Sequence, residues 1–158
     1  LAQLVYNDQR VKDHFQPQLW ICVSDDFNLS EILRKIVEVG GGNCPAAIEL
    51  QSRADKLVEM LRGRRFILVL DDVWNEDYIK WEQLKNVLNC GANGSKIVVT
   101  TRKTKVAEIV GNEHNKHLLG ELSSDKCWLI FERIALSERT NVEEGLEKIG
   151  REIVNKCK

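Results

Sequence analysis

Short runs of consecutive apolar residues alternate along this chain with segments in which apolar residues recur every three or four positions. The runs are typical of strands buried on both faces of a parallel sheet, and the periodic segments are typical of helices with one buried face. Their alternation predicts an α/β fold, in which helices flank a parallel sheet. We predict strands at residues 19–23, 66–70 and 96–100, and a short fourth strand at residues 117–119.

The predicted helices begin and end at residues that suit helix termini. Ser30 precedes a segment with one apolar face, and its hydroxyl can accept a hydrogen bond from a free N–H group of that helix. Glycines at positions 40–42 follow this segment and Gly63 follows the next one, where glycine readily forms a C-terminal cap. Tryptophans lie within the apolar patterns, and we interpret them as core residues; they are Trp20, Trp74, Trp81 and Trp128.

The last third of the chain differs in pattern from the rest. Ser123 is followed by a helical segment that includes Trp128 and Phe131, and a closing helical segment runs from Leu146 to Cys157. No strand pattern separates these two segments. We therefore expect an α/β domain over residues 1–122 and the start of a helical subdomain over residues 123–158.

Polar side chains follow two of the predicted strands at their carboxyl ends. Asp71 and Asp72 come directly after a run of five apolar residues, and Thr100, Thr101 and Arg102 end the next strand. Ligands of open α/β sheets bind outside the carboxyl ends of the strands, so we expect both groups at one rim. There Asp71 can hold a magnesium ion through water, Asp72 can position an attacking water, and Arg102 can contact a γ-phosphate.

Each part of this candidate site also has a structural interpretation. Aspartate is common in turns after strands, and an isolated arginine often pairs with a surface carboxylate. The sequence also lacks the phosphate-binding pattern G-x-x-x-x-G-K-[ST] that belongs with an acidic strand of this kind. The presence of both groups at one rim nevertheless favours a site for a nucleotide and Mg²⁺.

Composition narrows the class of protein. A net charge of −1 provides no basic surface for nucleic acid, and no apolar stretch reaches the ~18 residues that span a membrane. Five scattered cysteines without a C-x-x-C pair fit reduced thiols in the cytoplasm better than a disulfide framework.

Arg62, Arg64 and Arg65 lie at the amino end of their strand, and we interpret them as solvated charge. His114 and His117 lack the further ligands of a zinc site.

These motifs resemble, in the same order, those of the nucleotide-binding (NB-ARC) domain of plant disease-resistance proteins, the NLR receptors. Residues 66–74 are similar to the kinase-2 motif, and residues 94–102 resemble the block that ends in the first sensor arginine. Trp74, which follows the Asp-Asp-Val triplet, is typical of the non-Toll class, whose members usually carry an N-terminal coiled coil. The other similar blocks are residues 1–8 (the helix after the P-loop), 15–24, 118–122 with 127–131, and 149–150 with 153–158 (the approach to a Gly-Leu-Pro-Leu motif).

The resemblance implies a P-loop NTPase fold of the STAND type, in which residues 123–158 begin the helical ARC1 subdomain. It implies that ADP or ATP is bound together with Mg²⁺. The residues that the resemblance assigns to this site are Asp71 and Asp72 at the metal, Thr100, Thr101 and Arg102 at the nucleotide, and Asp72 as the catalytic residue.

The resemblance also implies a molecular switch in an intracellular immune receptor that takes part in plant defence. Its expected partners are the coiled-coil and leucine-rich-repeat domains of the same receptor and, on activation, further copies of it. Hydrolysis is expected to be slow at most and to reset the switch.

The chain begins with Leu rather than Met, and we interpret it as a section between the P-loop and the Gly-Leu-Pro-Leu motif. A P-loop ATPase with rapid turnover and a non-functional resistance-gene fragment are the alternatives.

Overall fold

The computed structural model describes residues 1–23, 26–111, 113–136 and 144–156. Ser24, Cys157 and Lys158, which belong to motifs named above, lie outside these ranges. The chain divides into two compact units, residues 1–116 and residues 117–158. The elements of the first unit are α1 (Ala2–Asn7), α2 (Gln9–His14), β1 (Gln18–Cys22), α3 (Leu29–Val39), α4 (Leu50–Leu61), β2 (Ile67–Asp71), α5 (Tyr78–Leu88), β3 (Lys96–Val99), α6 (Thr104–Val110) and a 3₁₀ turn (Glu113–Asn115). Those of the second are α7 (Ser124–Ala135) and α8 (Glu144–Lys156).

The described residues form one parallel sheet of three strands, in the order β1-β2-β3. The central strand β2 is buried on both faces from Ile67 to Leu70, as its continuous apolar run predicts. The register places Cys22 opposite Asp71 and Leu70 opposite Val99, so the three strands end at nearly the same level. The predicted α/β fold with a parallel sheet flanked by helices is therefore confirmed.

The predicted fourth strand is wrong. Residues 117–119 have no strand structure, and Leu118 and Leu119 are 86% and 72% exposed. Two adjacent leucines with no alternation of polar neighbours cannot distinguish a buried strand from an exposed extended segment.

The helices begin and end with the types of capping residue that the sequence predicts, but the N-cap of α3 is a different residue from the predicted one. Asn28 caps α3, because its side-chain oxygen accepts a hydrogen bond from the N–H of Glu31 at 3.2 Å, whereas Ser30 lies inside the helix. Gly63 follows α4 with a φ of 69°. Both serine and asparagine suit an N-cap, so sequence alone does not choose between positions two residues apart. Within the described part of the chain, no helix has the length and apolar composition needed to cross a lipid bilayer.

A buried arginine joins α4 to the start of α3. Arg53 is only 4% exposed, and its guanidinium donates to the carbonyls of Ile48 at 3.0 Å, Ser30 at 2.9 Å and Ala46 at 2.6 Å. It also donates to the Glu31 carboxylate at 2.9 Å. Arg53 thus fixes the connection between α3 and α4, because its buried guanidinium satisfies its donors on the backbone carbonyls and the carboxylate of that connection.

The second unit contains two packed helices. Gly150 of α8 lies so close to α7 that a Cβ there would be 2.7 Å from a ring carbon of Phe131 and 2.9 Å from one of Trp128. Arg151 lies over the Trp128 ring, with 4.4 Å between the guanidinium carbon and the ring centroid. The predicted division into functional domains at residues 122 and 123 stays a prediction.

Candidate functional site

One threonine hydroxyl connects the acidic end of β2 to the end of β3. Thr100 Oγ1 donates to Asp71 Oδ1 at 2.5 Å and accepts from the backbone N–H of Asp72 at 2.8 Å. The neighbouring strand β1 ends at Cys22, whose thiol lies 4.0 Å from Asp71 Oδ2. One oxygen of Asp71 is therefore held by Thr100, while the other faces the edge at which β1 ends.

The backbone continues this connection beyond the strands. The N–H of Val73 donates to the carbonyl of Thr100 at 2.9 Å, and Thr101 Oγ1 donates to the carbonyl of Val73 at 2.7 Å. Asp72 lies between these bonds with a φ of 54°, which is uncommon for a residue other than glycine. The turn after β2 is therefore fixed to the end of β3, and its left-handed residue is one of the two predicted carboxylates.

Arg102 forms a forked ion pair with Asp72. Its Nη2 lies 3.0 Å from Oδ2 and 3.2 Å from Oδ1, and its Nε lies 3.3 Å from Oδ1. The Arg102 guanidinium and then the Trp74 side chain hold the pKa of the Asp72 carboxyl below its usual range. Both partners remain open to solvent, with 69% of the Arg102 side chain and 51% of the Asp72 side chain exposed. An exposed pair of this kind is weak enough to exchange partners.

Trp74 lies at this rim, so our interpretation of it as a core residue is wrong. Its ring is half-buried, and the Arg102 guanidinium carbon is 4.5 Å from the ring centroid. Lys103 also lies over the ring at 5.6 Å, but its ammonium group is bound to Glu76 at 2.9 Å. The apolar pattern around Trp74 does not indicate a contact with Arg102. The two residues are 28 positions apart, and no sequence pattern connects them.

The oxygen atoms at the rim suit a hard divalent cation. Mg²⁺ in phosphate sites is usually held by one or two carboxylates together with waters and phosphate oxygens. Asp71 and Asp72 supply that number of carboxylates. Among the described residues, no three or more His, Cys, Asp or Glu side chains lie together in a way that could hold a metal ion. The donor set therefore fits magnesium that arrives with a phosphate ligand better than a metal held by protein alone.

The other candidate groups lie apart from this rim. Arg62, Arg64 and Arg65 are exposed at the amino end of β2, where Arg65 Nη1 contacts His14 Nε2 at 3.3 Å. The structure thus brings Asp71, Asp72, Thr100, Thr101 and Arg102 together and adds Cys22 and Trp74, which the sequence did not indicate as members of the site.

The parallel sheet flanked by helices, with aspartates at the end of its central strand, is an α/β fold of the P-loop NTPase class. The NB-ARC domain, a nucleotide-binding domain, matches residues 1–141. The chain belongs to the NB-ARC family.

Similar proteins are plant disease resistance proteins. Disease resistance protein RGA2 of Solanum bulbocastanum is 44% identical over 157 residues, which cover 99% of this chain and 16% of RGA2. Disease resistance protein RPP13 of Arabidopsis thaliana is 32% identical over 164 residues, and disease resistance RPP13-like protein 4 of the same plant is 34% identical over 161 residues. These two alignments cover the whole of this chain and 19% of each relative. The chain thus spans less than a fifth of the length of these relatives.

Proposed function

We propose that this chain is the nucleotide-binding part of a molecular switch in a plant immune receptor. The closed, resting receptor holds ADP, and the open, active receptor holds ATP. The observation that carries this proposal is the Asp72–Arg102 pair beside Asp71 at the carboxyl rim of an NB-ARC sheet. A carboxylate can hold magnesium and an exposed guanidinium can bind a terminal phosphate, and both are among the groups that such a switch uses.

Asp71 is proposed to hold Mg²⁺ through water, with Asp72 as a second contact. The Thr100 hydroxyl binds one oxygen of Asp71 and so fixes the direction of the carboxylate. Thr100 and Thr101 would line the nucleotide side of the rim. The bound cation would neutralise part of the phosphate charge.

Arg102 is proposed to distinguish ATP from ADP. Its forked N–H groups already bind one carboxylate, and the same geometry suits the oxygens of a terminal phosphate. A nearly complete change of state requires that the open form bind ATP better than the closed form by roughly 5.5 kcal/mol. Arg102 would supply part of this difference, because ADP lacks the group that it recognises.

Asp72 is proposed as the residue that positions water for a slow hydrolysis, which resets the switch. In the absence of nucleotide, its ion pair with Arg102 lowers the pKa of its carboxyl group. The rate of hydrolysis distinguishes this switch from the alternative of a P-loop ATPase with rapid turnover. A non-functional fragment is the other alternative, and the contacts among Asp71, Asp72 and Arg102 argue against it.

The remaining proposals concern the whole receptor. The resemblance to NLR receptors supports intramolecular coiled-coil and leucine-rich-repeat domains as partners, and assembly of several copies on activation. A cytoplasmic location is supported by the free thiols of Cys22, Cys44, Cys90 and Cys127 in the described part of the chain.

The switch is tested by the nucleotide that the purified protein retains. The protein is produced from its full gene, purified and denatured with heat, and the supernatant is chromatographed. We expect ADP in a nearly stoichiometric amount for the wild-type protein and little or none for Asp71→Ala. Arg64→Ala, which changes an exposed charge at the opposite rim, is the matched control and should retain ADP.

A folded wild-type protein without nucleotide would overturn the proposal. Rapid hydrolysis of added ATP, with many turnovers per second, would instead identify a turnover ATPase. Absence of both binding and hydrolysis would identify a non-functional fragment.

A further inference from the structure

We propose that Trp74 is the positioning residue for Arg102, and that its indole ring sharpens the distinction between ATP and ADP. This inference rests on the proposed function, because it concerns the same site. The ring holds the guanidinium next to Asp72, in a position from which it can bind an incoming terminal phosphate.

The first argument is the geometry of the contact. An arginine that is 69% exposed would otherwise sample many rotamers, and each would reduce the fraction of time in which it faces the phosphate position. The guanidinium carbon lies 4.5 Å from the Trp74 ring centroid, within the range of a cation–π contact. The ring therefore restricts Arg102 to one region of the rim.

The second argument is that the backbone beside the ring is fixed. Trp74 directly follows Val73, which is fully buried and bonded through its backbone N–H and carbonyl to Thr100 and Thr101. These bonds hold the backbone from which the Trp74 side chain extends next to the end of β3. The indole therefore starts from a fixed point beside Arg102.

The third argument concerns which groups of Arg102 the contact uses. The guanidinium carbon lies over the indole ring, whereas the Nε and Nη2 atoms bind Asp72. Because the N–H groups that bind the carboxylate are separate from the contact at the guanidinium carbon, Arg102 can exchange Asp72 for a phosphate and keep its contact with the ring. Lys103, the second cation near the ring, is held by Glu76 and does not need to move.

The test compares two nucleotides in the protein produced from its full gene. Calorimetry measures the Kd of ADP and of a non-hydrolysable ATP analogue for the wild-type protein, Trp74→Leu and Trp74→Phe. We expect Trp74→Leu to weaken binding of the analogue about tenfold and to change that of ADP by less than about twofold. Trp74→Phe keeps an aromatic face and should restore most of the affinity for the analogue.

A purely structural role of Trp74 would weaken both nucleotides equally, and this outcome would overturn the inference. In an Arg102→Leu background, Trp74→Leu should have no additional effect, because the group that the ring positions is already missing. Trp74→Gln replaces Trp74→Leu if the latter is insoluble, since a polar side chain suits a half-exposed position.

Arg151→Leu is the matched control, because Arg151 forms a similar stack with Trp128 in the second unit. It should change neither Kd. A wild-type protein that binds both nucleotides, with Trp74→Leu showing the same ratio of affinities, would overturn this inference alone. A folded wild-type protein that binds neither nucleotide would overturn the proposed function and this inference with it.

Discussion

Thr100 shows how much a single hydroxyl group determines at the rim of the sheet. It donates to the Asp71 carboxylate and accepts from the Asp72 N–H group, so it sets the direction of the first aspartate and supports the backbone of the second. Asp72 also has a positive φ, which a neighbouring hydrogen bond helps to maintain. The geometry of both acidic residues therefore depends on a residue from a different strand.

Replacing Thr100 by valine tests this role, because valine keeps the shape and removes the hydroxyl. The Asp72 N–H group loses its partner, and we expect the free energy of unfolding to fall by about 1–2 kcal/mol in urea titrations. Retained ADP should fall as well, because the Asp71 carboxylate is no longer oriented. Thr100→Ser keeps the hydroxyl, so its free energy of unfolding and its retained ADP should match those of the wild-type protein. If the serine and valine variants lose stability and ADP equally, the role assigned to the hydroxyl is contradicted.

At the scale of the elements, Arg53 determines how α3 and α4 are joined. Three backbone carbonyls and one carboxylate surround its guanidinium, and the side chain is almost fully buried. A buried arginine is tolerated only when its donors are satisfied, so this connection has little freedom to adopt another conformation.

We expect Arg53→Met to lower the free energy of unfolding by roughly 2–4 kcal/mol, because it removes the hydrogen bonds of a nearly fully buried guanidinium to three carbonyls and to Glu31. Chemical denaturation monitored by circular dichroism measures this loss. Arg64→Ala removes an exposed arginine and should stay within about 0.5 kcal/mol of the wild-type protein. A similarly small effect of Arg53→Met would show that water replaces the guanidinium.

The elements also show which parts of the structure the sequence could predict. The strand β2 was predictable because both of its faces are buried, which leaves a continuous apolar run that ends at Asp71. Three of the four partners of Arg53 are backbone carbonyls, which have no sequence signal, and a charged residue is rarely fully buried. Trp74 was misplaced for a related reason, since an apolar pattern does not reveal which side chain covers an aromatic ring.

The whole molecule consists of two compact units, and the second contains a close contact between its helices. Gly150 faces the rings of Trp128 and Phe131 at distances that leave no space for a methyl group. The helix α8 contains a second glycine, Gly145, around which there is open space. This pair provides a matched comparison within one helix.

Gly150→Ala should destabilise the packing of α7 and α8 by about 1–3 kcal/mol, because the rings must move to admit the methyl group. Gly145→Ala should be neutral or stabilising by up to about 1 kcal/mol, as alanine favours the helix. Hydrogen exchange followed by mass spectrometry measures protection in both helices and in β2. Faster exchange in α7 and α8 alone is expected for Gly150→Ala, and equal acceleration in β2 would contradict independent unfolding of the units.

The four hydrogen bonds that join the turn after β2 to the end of β3 also bear on the speed of the switch. These bonds hold the turn after β2 and the end of β3 together. We therefore expect Arg102 to reach a bound phosphate by rotation of its own side chain. Such rotations of exposed side chains take picoseconds to nanoseconds, whereas rearrangements of domains take microseconds or longer. For the proposed switch, we therefore expect detection of the nucleotide to be much faster than opening of the receptor. The lifetime of the proposed resting state would then be set by nucleotide release or by domain movement.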